Sequence, residues 1–222
     1  MNIESGPMKS LPGRPKGASK AREQLTQAAR ELFLHAPYEQ VSIRQLARTA
    51  GVDSSLIRYY FGDKAGLFET MVRETIAPIV AVLQANKSQQ NKDQMDLETL
   101  ISTYYRILGA NPALPKLIFR VLNDNPNSEA FAVLAHIFSE VIGKARIWLQ
   151  NTMVNSGQLR QDIDPDLARL SFASLMVFPL IAPTVLLKVL GFTINESTLD
   201  TIAKHNTKLI SRGLLIPKES SQ

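Results

Sequence analysis

The chain has 222 residues, 45% of them hydrophobic, a net charge of +5 and no cysteine. That apolar content fills one large or two modest domains and excludes disorder throughout. Without cysteine the chain has no disulfide, thiolate nucleophile or cysteine metal site, which fits a reducing, cytoplasmic compartment.

Residues 1–18, rich in Pro, Gly, Ser and Lys/Arg, read as a flexible basic arm. No apolar run follows their charges, so they do not form a secretory signal. Residues 1–66 hold ten Lys/Arg against six Asp/Glu, whereas the remaining 156 hold fifteen against fourteen. A basic front on a nearly neutral body suits a polyanion, nucleic acid or acidic lipid, and equally suits a solubilising tail. Within the arm, Arg14 and Lys16 lie in P-G-R-P-K-G, a proline-stiffened basic piece of the kind that lies in a minor groove.

Leu25, Ala28, Ala29, Leu32 and Phe33 follow i, i+3, i+4, i+7, i+8, the apolar stripe of a first helix that His35-Ala36-Pro37 ends. A second helix runs from Ser42 to about Ala50, with Ile43, Leu46, Ala47 and Ala50 on one side. Its entry, S-I-R-Q, pairs a capping Ser42 with Gln45. Gly51 is suited to end it in a left-handed conformation, and Asp53 or Ser54 caps a third helix up to Phe61. Helix, glycine turn, helix is the helix-turn-helix pattern. Six further helices are expected at 64–86, 96–109, 114–123, 127–155, 165–190 and 197–213, separated by Asn111-Pro112, Asn125-Pro126, Gly157 and Asp164-Pro165. No stretch alternates at period two. The expectation is all-α with about nine helices: a helix-turn-helix domain over 19–66 and a helical body over 67–216.

On a helical wheel for 54–61, Ile57 and Phe61 share one face with Tyr60 at its edge. Ser55 and Tyr59 lie opposite, flanked by Leu56 and Arg58. Short polar residues there can approach base edges, Arg58 can grip a guanine or a phosphate, and Leu56 can touch a thymine methyl. Ser42 and the free N–H groups after it suit a phosphate, as do Tyr60 and Lys64 beside the following turn. An ordinary helical hairpin with half-buried tyrosines fits the same pattern.

Leu170 to Leu187 contains 18 residues without a charge. Two prolines, Ser171, Ser174 and Thr184 within it argue against a membrane span and for burial in a core or against a second subunit. His35, His136 and His205 are far apart and lack metal-site spacing, and no glycine-rich loop follows a strand, so neither an enzyme, a metal site nor a cofactor is expected. The alternative to DNA binding is a helical interaction or scaffold module whose basic front docks an acidic protein.

AARELF at 28–33 and YEQVSIRQLARTAGVDSSLIRYYFGDKAGLF at 38–68 resemble the TetR family of one-component transcriptional regulators. The resemblance covers about the first 70 residues. In the body it is confined to helix layout, the D-P-D-L-A opening near 165 and the closing LISRGLL. It implies that Ser42 and Arg44 face phosphate at the start of the second helix. It further implies that Ser54, Ser55, Leu56 and Tyr59 face bases, with Tyr60 and Lys64 as phosphate clamps. Arg58 stands where the family often has the first Tyr of its motif, which leaves its role open between base, phosphate and structure. Gly66 stands where many members carry Glu or Ala, at a cost of about 1 kcal/mol of helix propensity. The resemblance further implies a homodimeric repressor, paired through 165–190 and 197–213, bound to a palindromic double-stranded operator and released by a small-molecule effector. Residues suited to line a mostly apolar effector pocket, or simply the core, are Met71, Tyr104, Tyr105, Phe119, Trp148, Phe172, Met176 and Phe178.

Overall fold

The computed structural model describes residues 16–85 and 97–216. Ten α-helices follow one another: α1 (Lys16–Phe33), α2 (Ile43–Ala50), α3 (Ser55–Phe61), α4 (Lys64–Ala85), α5 (Leu97–Gly109), α6 (Ala113–Asn123), α7 (Glu129–Leu149), α8 (Pro165–Ile181), α9 (Thr184–Val189) and α10 (Glu196–Gly213). Among the described residues there is no strand, only an isolated bridge between Leu159 and Leu215.

The short front helices owe their ends to local chemistry. Ser42 Oγ accepts from the Gln45 N–H at 3.2 Å while Gln45 Oε1 accepts from the Ser42 N–H at 2.9 Å, a complete capping box. Gly51 closes α2 at φ 65°, a conformation that costs a side-chain-bearing residue. At the start of α3 the competition between Asp53 and Ser54 goes to Asp53, whose Oδ1 accepts from the Ser55 N–H at 2.8 Å. Asp63 does the same for Gly66 at the start of α4.

Three expectations are corrected. α1 begins at Lys16, inside the expected arm, because Ala18, Lys20 and Ala21 are strong helix formers. Ile43 is 42% exposed rather than part of the α2 stripe, leaving Leu46, Ala47 and Ala50 to dock. The expected single helix over 165–190 breaks into α8 and α9, so the helices among the described residues number ten. Ala182, forced out of the α region by Pro183, sits at φ −56°, ψ 142° and makes the break.

Buried residues of α1, α2 and α3 (Leu25, Ala28, Phe33, Leu46, Ile57) meet Leu67 and Phe68 of α4 to form the front core. α4 then carries on through the expected domain boundary at 66, and through Pro78, into the body. Two neighbouring residues on it face opposite ways. Glu74 pairs with Arg22 of α1 at 2.8 Å, whereas Arg73 pairs with Glu140 of α7 at 2.8 Å. These half-exposed ion pairs add little stability but set the register of α4 against both partners.

In the body, α5 packs along α10, with α8 against both. Pro179 has no N–H, so the carbonyl of Leu175 one turn earlier in α8 loses its helical donor. The Tyr105 hydroxyl of α5 donates to it at 2.8 Å and the Asn206 Nδ2 of α10 at 3.0 Å. Asn206, only 4% exposed, also donates to the Tyr105 oxygen. A buried polar cluster is thus the complement of one missing backbone donor.

Candidate nucleic-acid interface

α3 divides its residues sharply. Ile57 is 1% exposed and Tyr59 76%. Ser54, Ser55 and Arg58 are exposed with Tyr59, whereas Leu56, Tyr60 and Phe61 are half-buried. The Tyr59 and Tyr60 rings meet edge to face at 4.8 Å, which steadies the exposed ring over its neighbour. Arg22 of α1 lies over the Phe61 ring at 5.5 Å, pinning the end of α3 from outside. The result is a polar, cationic surface on a helix anchored by a single buried isoleucine.

α2 continues this surface with exposed Ser42, Arg44, Gln45 and Arg48. The Ser42 hydroxyl is committed to the capping box, donating to Gln45 Oε1 at 3.0 Å. The backbone N–H groups of Ile43 and Arg44, at the positive end of the helix dipole, have no intrahelical partner and remain open to an anion. Asp53, beside the turn, is held below the usual carboxylate range by hydrogen bonds from Ser55. Arg14 lies outside the described residues, as does the side chain of Lys16.

Lys64 departs from the expected outward clamp. Its ammonium turns inward, donating to the Tyr38 carbonyl at 3.1 Å and the Val41 carbonyl at 3.3 Å, and lies 3.9 Å from the Tyr38 ring centre. One of its three donors is left over. Arg58, whose role was open, is exposed on the outward surface.

Gly66 gains a reason that its spacing did not carry. A Cβ at this position would lie 2.0 Å from the carbonyl oxygen of Phe61. The glycine therefore lets the end of α3 fold tightly back on α4, fixing the angle at which the polar surface is presented.

Tyr38 was missed by sequence reasoning. It stacks on Phe33 at 5.4 Å and meets Phe68 at 5.2 Å, and its hydroxyl donates to the carboxylate of Glu129 at the start of α7. Burial first, then the hydrogen bond and charge of Glu129, push the Tyr38 hydroxyl well above its ordinary range, so it remains a donor. The contact spans 91 positions in the chain and joins the front domain to the body. No local pattern signals a partner at that separation.

The eight residues suited to an effector pocket are divided between the core and the surface. Met71, Tyr105, Trp148, Phe172 and Met176 are buried in the core, and Tyr104 is half-buried. Phe119 and Phe178 lie on the surface instead, about half exposed. Trp148 and Phe172 face each other at 6.3 Å, and Trp148 Nε1 is the one buried side-chain nitrogen or oxygen without a partner among the described residues. One residue further on, after Leu149, residues 150–154 form a π-helical turn. No cluster of His, Asp or Glu able to hold a metal occurs among the described residues, nor any helix long and apolar enough to cross a membrane.

Comparison with known proteins places this architecture. Residues 25–71, the stretch that holds α2, α3 and the turn between them, match the family model for bacterial regulatory proteins of the tetR family. The HTH-type transcriptional repressor KstR2 of Rhodococcus jostii (strain RHA1) is 22% identical over 204 residues, covering 90% of this chain and 94% of that protein. Among solved structures, NalD of Pseudomonas aeruginosa, the secondary repressor of the MexAB-OprM multidrug efflux pump, superposes with a TM-score of 0.67. It is 19% identical and covers 92% of this chain and 100% of its own. The fatty acid degradation regulator FadR of Bacillus halodurans reaches a TM-score of 0.64 at 18% identity, covering 87% of this chain and 95% of its own. The front of the chain thus carries a helix-turn-helix domain of the tetR family of bacterial regulatory proteins, and its all-helical body shares the fold of these regulators.

Proposed function

We propose that the protein is a homodimeric repressor that binds a palindromic operator through α2 and α3 and releases it when a small, mostly apolar effector enters the body. The observation that carries the reading is the division of α3, which buries Ile57 and offers Ser54, Ser55, Arg58 and Tyr59 outward. Tyr59, Ser55 and Arg58 are then the residues that reach base edges in a major groove, while Arg44, Tyr60 and the open N–H groups of α2 take phosphates. The remaining donor of Lys64 suits a phosphate as well, with its first duty to the domain's own carbonyls.

Pairing is supported by α8, whose Leu167, Leu170, Val177 and Phe178 form an exposed apolar stripe at helical spacing, alongside exposed Leu209 of α10. A two-fold axis through these helices repeats the α3 surface, and successive major grooves require a repeat of about 34–36 Å. For the effector, the unpartnered Trp148 Nε1 beside Phe172 favours an apolar molecule carrying one hydrogen-bond acceptor. Such a molecule lowers operator affinity by its preference for the body conformation that changes the spacing. α4 and the Tyr38–Glu129 contact are the physical links that carry the change.

Footprinting at low salt tests the reading. A protected palindrome near the protein's own gene is expected, weakened by about 1–3 kcal/mol in Tyr59→Ala and across all sequences in Arg44→Ala. Absence of any protected site, or unchanged affinity in both variants, would favour the scaffold alternative instead.

A further inference from the structure

We infer that the body holds a binding site for an apolar carboxylate, apart from the core around Trp148, in the cavity where α6, the end of α8, α9 and the start of α10 meet. The cavity has a volume of about 230 Å³. Its walls are mostly apolar, with Pro112, Leu180, Ala182, Leu187 and Leu199 among them beside the neutral polar Thr184, Thr193 and Asn195, and Phe192 stands half exposed at its side. Of the charged residues that line it, both are cations, Lys116 of α6 and Lys188 of α9.

The charge pattern decides the class of ligand. Neither lysine has an ion-pair partner among the described residues, and the cavity wall contains no carboxylate. The start of α6, at Pro112, has no side-chain cap, so the positive end of an 11-residue helix adds to the same sign. An apolar hollow rimmed by two unpaired cations is complementary to a molecule with an apolar body and one anionic group. Drug-sized ligands occupy roughly 300–1,000 Å³, so this volume suits a short acyl or aryl acid. Gly109 and Leu199 form a wall shared with a neighbouring crevice, lined by Arg106 but also by Glu196 and Asp200. Its two carboxylates make that crevice the poorer place for an anion.

The site also sits where occupancy can be felt. Gly109, the last residue of α5, and Pro112, just before α6, bracket the turn between the two helices. Ile107 near the end of α5 and Asn111 of that turn line a crevice closed on its other side by Gln27, Arg30 and Glu31 of α1. A ligand that shifts the turn therefore presses on the first helix of the front domain. This transmission rests on the DNA-binding reading above, whereas the binding does not, so the two can fail separately.

Calorimetric titration of the full chain with octanoate and with octylamine tests the site. Octanoate should bind, and the Lys116→Gln/Lys188→Gln double variant should weaken it roughly five- to tenfold. Octylamine should bind more weakly than octanoate, and the emission of Trp148, the sole tryptophan, should stay unchanged through the titration. The site is overturned by lack of octanoate binding, by equal binding of the amine, or by indifference to the double variant. A Trp148 emission change that tracks occupancy overturns it too, placing the acid in the core. Octanoate binding without loss of operator affinity in a gel shift retains the site and removes its link to α1.

Discussion

The helices at the front and the helices at the back treat their apolar residues in opposite ways. Across α2 and α3 the only large hydrophobic side chains left exposed are Ile43 and Tyr59. Across α8 and α9 the exposed set includes Leu167, Leu170, Val177, Phe178, Val185, Leu186 and Val189, with Leu190 and Phe192 just beyond. Both regions are helical and both carry prolines or glycines at their ends, so local propensity does not separate them. The front domain finishes its own core and presents polar groups, as suits a charged, hydrated partner. The back leaves apolar area uncovered on a scale that single chains seldom keep, as suits a second protein surface.

The contrast can be broken most forcefully at Ile57. Its replacement by Ala should cost about 2–5 kcal/mol, with early loss of amide protection in α1–α3 while α5 and α10 stay protected. Equal loss everywhere would mean that the two regions fold as one unit. Gly66→Ala comes next, at about 3 kcal/mol, because the new Cβ meets the Phe61 backbone rather than a side chain that can yield. Chemical denaturation reads that cost, and an unchanged midpoint would show that α3 can swing away freely. Leu170→Lys sharpens the other side of the contrast. It should weaken the proposed dimer by about 2 kcal/mol in sedimentation while leaving the fold of each chain intact. A fall in helix content would instead make Leu170 part of the chain's own core. Ser42→Ala is the smallest, about 1 kcal/mol from loss of the capping box, seen as a slightly lowered thermal midpoint.

What could be read from the sequence follows the same division. The α2 cap at Ser42, the left-handed Gly51 and the outward Tyr59 depend on residues within a few positions of one another, and all three are found where spacing puts them. Helix order in the body was equally legible from Asn111-Pro112 and Asp164-Pro165. The break at Ala182 was signalled by Pro183 but masked by the uncharged run around it. Lys64 turned inward because carbonyls of Tyr38 and Val41, more than twenty positions away, complete its surroundings. Phe119 and Phe178 share the composition of pocket residues, yet which side of a helix faces the interior is settled by its neighbours. The Tyr38–Glu129 contact, at 91 positions, lies beyond any local pattern.

Pro179 has a consequence for how this protein can change over generations. A residue with an N–H at 179 would close the Leu175 carbonyl from within α8, and Tyr105 and Asn206 would then compete for an acceptor already taken. Loss of Asn206 with Pro179 retained leaves the carbonyl to Tyr105 alone. The proline and its two distant donors are therefore coupled: exchanging one of them changes what the others contribute, although they lie on three different helices.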